Sequence, residues 1–124
     1  MTVDGSYLAD RYQYFLSQQA HVFDGARELL ERLKEQEYRL FAATNGVTFI
    51  QKGRLTQSGI GDYFEQIFIS DELGCHKPNK DFFDSLARKI TNFSAHQALM
   101  VGDSLAADIK GGNEAGIDTV FLTI

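Results

Sequence analysis

The feature that most constrains this chain is an alternation. Short apolar runs, each ending on polar residues, take turns with stretches of amphipathic helix. Tyr38 to Ala43 is mostly apolar and runs into Thr44-Asn45-Gly46. Gln66 to Ile69 runs into Ser70-Asp71-Glu72 and then Gly74-Cys75-His76-Lys77-Pro78. Ala98 to Val101 runs into Gly102-Asp103-Ser104, and Thr119 to Leu122 gives a last run. Runs this short, without strict polar alternation, read as strands buried on both faces. Strands that alternate with helices predict an α/β fold built on a parallel sheet.

The helical stretches carry their own signals. Asp24 to Gln36 places Ala26, Leu29, Leu30 and Leu33 on one stripe. Val47 to Ser58 is stopped by Gly59. Asn79 to Ile90 turns Phe82, Phe83, Leu86 and Ile90 inward. Ser94 to Gln97 resembles a capping box that opens a single turn. Ser104 to Ala115 is a helix stopped by Gly116. Inside it, Gly111 and Gly112 cost about 1 kcal/mol each relative to Ala, which points to close backbone packing or fraying. At the start, Leu8, Tyr12, Phe15 and Leu16 share a face and predict a further helix over Ser6 to Gln19.

Composition excludes several classes. The net charge is -5 and no Lys/Arg cluster occurs, so binding to a nucleic-acid backbone is not expected. No apolar run is long enough to span a membrane. Met1 to Asp10 is polar and unlike a signal peptide, and Cys75 is the single cysteine. A cytoplasmic setting is the expectation.

In a parallel sheet, ligands sit at the carboxyl ends of the strands. The residues that follow the runs should therefore meet at one edge. Thr44, Asn45 and Gly46 offer a hydroxyl, an amide and a flexible backbone suited to an oxyanion. Lys77 is held by Pro78, which disfavours helical backbone at the residue before it. Asp103, with Asp108 in the following helix, can hold a hard divalent cation, directly or through water. Hydroxyl, lysine and carboxylate pair together suit Mg²⁺-assisted phosphoryl transfer.

These segments resemble the haloacid dehalogenase-like (HAD) hydrolase superfamily. Phe41-Ala42-Ala43-Thr44-Asn45-Gly46 is similar to its motif II, and His76 through Phe83 to motif III. Val101 through Gly112 is similar to motif IV in its Gly-Asp-Ser-x-x-x-Asp form. The Thr-Asn-Gly variant looks most like the pyrimidine 5′-nucleotidase branch.

The resemblance implies a Rossmann-like core over residues 21–124 and the remnant of a helical cap over residues 1–20. It implies that Thr44 and Lys77 are catalytic, and that Thr44, Asn45, Gly46 and Lys77 bind phosphate. It assigns Mg²⁺ to Asp103 and Asp108, with Asp108 supporting the metal or Lys77. The implied substrate is a phosphorylated small molecule such as a nucleoside monophosphate.

The family's motif I, an Asp-x-Asp run after the central strand, is absent. Asp4 has no strand before it, and Asp24 precedes a helix. The expectation is an incomplete sheet without its central strand: an inactive fragment of a Mg²⁺-dependent phosphohydrolase. Two exposed strand edges should then be closed by direct pairing of the flanking strands, by exchange with another copy in a strand-swapped oligomer, or by a partner. One alternative is a non-catalytic remnant that binds phosphate or a partner. A phospho-receiver domain shares the residue types, but its acidic pair would come first and its lysine last, the reverse of the order here.

Overall fold

The computed structural model describes residues 13–16 and 25–122. Five strands form one sheet: β1 (Gln13–Leu16), β2 (Arg39–Thr44), β3 (Gln66–Ile69), β4 (Ala98–Gly102) and β5 (Asp118–Phe121). Their order across the sheet is β3-β2-β1-β4-β5, and every neighbouring pair is parallel. The main helices are α1 (Ala26–Glu35), α2 (Thr48–Ser58), α4 (Lys80–Lys89) and α5 (Lys110–Glu114), and α3 (Ser70–Leu73) is a single turn. This is the expected Rossmann-like α/β arrangement.

Apolar clusters form on the two faces of the sheet. One unites Phe15, Phe41, Ala43 and Met100 with Phe82, Phe83 and Leu86 of α4. The other unites Leu40 and Ala42 with Leu30 of α1 and Leu55 of α2. Residues 40–44 of β2 are all buried, which is why that run is apolar without alternation. Gly111 and Gly112 pack closely, as expected. A Cβ on Gly111 would meet the Phe83 ring at 2.7 Å, and one on Gly112 would meet Thr119 Cγ2 at 2.7 Å. The long helix expected from Ser104 is divided into a π-helical turn over Leu105–Ile109 and then α5.

The N-terminal expectation is corrected. Gln13–Leu16 is a strand, not part of a helix, and it takes the central place in the sheet. The rest of the predicted Ser6–Gln19 helix lies outside the described residues, as do residues 1–12 and 17–20 of the expected cap remnant. Gln13 stands level with Arg39 on one side and Ala98 on the other, and Leu16 with Ala42 and Val101. The gap between β2 and β4 is therefore closed by a fourth route, the chain's own residues. The physical reason is tertiary. A helical stripe is a weak preference, whereas the facing edges of β2 and β4 carry backbone groups that need partners. Tyr14 and Phe15 also suit a strand. Phe15 is wholly buried, stacked on Phe41 with ring centroids 5.3 Å apart and set edge-on to Phe93 at 6.2 Å.

Candidate active site

The sheet brings the sequence-selected residues to its carboxyl edge. Thr44 closes β2 and lies two residues beyond Ala42, which is level with Leu16. Asp103 lies two residues beyond Val101, also level with Leu16. Thr44 is wholly buried, and its hydroxyl donates to the Asn45 carbonyl at 3.1 Å.

Asn45 reaches across to the loop after α3. Its Oδ1 accepts from the Lys77 backbone N–H at 2.8 Å, and its Nδ2 donates to the Lys77 carbonyl at 3.0 Å. This reciprocal pair sets the origin of the Lys77 side chain; Pro78 follows through a cis peptide bond. The Lys77 ammonium then donates to the Ala43 carbonyl at 2.8 Å and to Asp108 Oδ1 at 2.5 Å. The two side chains are 2% and 0% exposed. Burial lowers the Lys77 pKa below the usual lysine value, while the Asp108 charge, its hydrogen bond and the Asp103 charge favour the ammonium.

Asp108 is held on its other side too. Its Oδ2 accepts from the Ser104 N–H at 3.2 Å, while Ser104 Oγ accepts from the Ala107 N–H at 3.1 Å. The π-helical turn brings Asp108 back against the end of β4. Gly102 makes room there, since a Cβ on it would collide with the Asp108 carboxylate.

Asp103 is half-buried, and among the described residues no hydrogen bond engages its carboxylate. Its charge acts on Lys77 together with that of Asp108, so among the described residues two carboxylates act on this one ammonium, which favours a cation nearby. The described residues contain no cluster of three or more Asp, Glu, His or Cys that could hold a metal. Mg²⁺ does not need one, because it is often held by one or two carboxylates with waters and substrate phosphate. Asp103 fits that role as a direct ligand, whereas both Asp108 oxygens are already engaged.

Gly46 stands apart from the other expected phosphate contacts. Its N–H donates to Ser70 Oγ at 2.9 Å, and Ser70 Oγ donates back to the Gly46 carbonyl at 3.3 Å. An open groove of 470 Å³ runs beside it, lined by Asn45, Gly46, Ser70, Asp71, Cys75 and His76. Asp71 Oδ2 accepts from Thr48 Oγ1 at 3.0 Å and Thr48 N at 3.3 Å, which fixes the start of α2. Ser70 was legible only by position, since it follows β3 as Asn45 follows β2. Gln51 was missed. It lies one helical turn before buried Leu55, on the inward face of α2, and is itself buried.

The family model for haloacid dehalogenase-like hydrolases matches residues 5–122. The chain belongs to that family. Within the HAD family, it is 53% identical over 118 residues to pyrimidine 5′-nucleotidase PynA of Streptococcus pneumoniae, covering 95% of this chain and 50% of PynA. It is 42% identical over 97 residues to a glyceraldehyde 3-phosphate phosphatase of Pyrococcus abyssi, covering 78% of this chain and 40% of that protein. Among solved structures it is similar to the HAD-hydrolase YfnB of Bacillus subtilis, described as bound to magnesium. The TM-score is 0.78 at 44% identity, covering 81% of this chain and 43% of YfnB. The chain thus spans half or less of the length of these relatives. Among the described residues, no helix is long and apolar enough to cross a membrane.

Proposed function

We propose that these residues form the anion- and cation-facing half of a HAD phosphohydrolase acting on a phosphorylated small molecule, with a nucleoside monophosphate as the favoured substrate class. The observation that carries the reading is the buried Lys77 ammonium, anchored by Ala43 and Asp108 between the ends of β2 and β4. Such a fixed cation, bonded to the carbonyl of the residue before Thr44, suits the spread charge of a phosphoryl group in transfer. In this reading Thr44, Asn45 and Lys77 face the phosphoryl oxygens and Gly46 shapes the loop. Asp103 binds Mg²⁺, and Asp108 acts mainly by holding Lys77. Bound Mg²⁺ would offset phosphoryl charge.

In this reading the nucleophilic carboxylate would come from outside these 124 residues, on a strand that takes the place of β1 between β2 and β4. β1 reads Gln-Tyr-Phe-Leu, and from Arg11 to Phe23 the sequence has no acidic residue. The chain alone is therefore expected to bind phosphate without turning over phosphate esters. Hydrolysis of nucleoside monophosphates should be assayed on this chain and on a longer chain carrying an upstream Asp-x-Asp strand. The longer chain should be active with Mg²⁺ and lose activity on Asp103→Ala. Mg²⁺-dependent turnover by the 124 residues alone would overturn the division of labour.

A further inference from the structure

Gln51 is a buried polar residue that bonds the loop after β2. It is 4% exposed. Its Nε2 donates at 3.0 Å to the Asn45 carbonyl, the same oxygen that accepts from the Thr44 hydroxyl at 3.1 Å. Its Oε1 is buried with no hydrogen-bond partner among the described residues. Gly46, at φ 150°, passes directly over it, and a Cβ on Gly46 would overlap the Gln51 amide. One carbonyl oxygen therefore receives two donors, one from the proposed phosphate ligand Thr44 and one from Gln51.

We propose that Gln51 is a positioning residue that frees the Thr44 hydroxyl to donate to a phosphoryl oxygen. This inference rests on the phosphate-site reading above. A carbonyl has two lone pairs, and a part-buried one that loses its only donor is penalised. If Thr44 were the sole donor to Asn45, turning its proton toward an anion would strand that oxygen. With Gln51 in place the oxygen keeps a donor in both states, and the turn of the loop at Gly46 stays fixed. The unpaired Oε1 argues against a purely structural role. An apolar side chain of similar shape would fill the same space without burying an unsatisfied acceptor.

The test uses Gln51→Met in the full 124-residue chain, with inorganic phosphate as the probe at saturating Mg²⁺. The expected result is about five- to tenfold weaker phosphate binding, with the thermal midpoint unchanged or raised. Equal affinity in both proteins would overturn the role, as would a loss of affinity that only parallels a fall in midpoint. If the variant does not fold, the wild-type side-chain amide is read by NMR. The Gln51 Nε2 protons should resist exchange with and without phosphate and shift when it binds; free exchange in both states would sink the proposal. Failure of the wild-type chain to bind phosphate would instead remove the site reading, and this role with it.

Discussion

The Lys77 ammonium and the Asp108 carboxylate meet at 2.5 Å with both side chains closed to solvent. Taking two charges out of water is expensive, and the pair is tolerable only because its remaining valences are used. Ala43 and Ser104 supply that use. Breaking the pair from one side should therefore hurt more than removing it whole. Asp108→Ala is expected to lower unfolding free energy by about 3–5 kcal/mol, because it leaves a buried ammonium without its counter-charge. The double variant Lys77→Met with Asp108→Leu should recover most of that loss. Denaturant unfolding of the three proteins checks it, and a double variant no better than Asp108→Ala would contradict the argument.

The same burial sets a pH dependence. The Lys77 pKa is lower in the folded chain than in the unfolded chain. Between the folded value and about 10.5, the ordinary lysine value, the unfolded state thus binds more protons, and this group's contribution to stability rises with pH. That contribution is fully present above the unfolded value and is lost as pH falls through the folded one. The stability of wild type minus that of Lys77→Met/Asp108→Leu should increase as the medium is made alkaline toward that value. A flat or falling difference would show that Lys77 is not depressed by burial.

Much of this site was legible in the sequence because strand ends are short and ordered. Thr44, Lys77 and Asp103 each follow an apolar run, and a parallel sheet has to bring such positions to one edge. The contacts between them were not legible. Nothing in the pattern says that the Asn45 amide seizes the Lys77 backbone, or that Ser70 takes the Gly46 N–H, because these bonds join residues 32 and 24 positions apart. The strand at Gln13–Leu16 was misread for a related reason. Its apolar spacing supports a helix, and the open edges of β2 and β4 decide otherwise.

Gly102 gives a sharper test of how Asp108 is seated. It is buried at the end of β4, and an added Cβ would occupy the space of the Asp108 carboxylate. Gly102→Ala should displace Asp108 from Lys77 and cost about 1–3 kcal/mol, as overpacking of a buried site does. Phosphate affinity should fall with it, since the Lys77 ammonium loses its anchor. Stability and phosphate titration, measured together, check the prediction; a neutral substitution would mean that the π-helical turn can shift without loss.

The central strand makes the last prediction. Phe15 is wholly buried between β2 and β4 and stacked on Phe41, so Phe15→Ala should cost about 3–5 kcal/mol. Were residues 13–16 part of a surface helix, the same change would cost far less, within about 0.5 kcal/mol if the side chain were exposed. Amide exchange gives an independent reading, because the Tyr14 and Leu16 N–H groups lie inside a sheet paired on both sides. They should exchange as slowly as those of β2 and β4. Fast exchange there, with β2 and β4 still protected, would show that the chain's own residues do not fill the centre of the sheet.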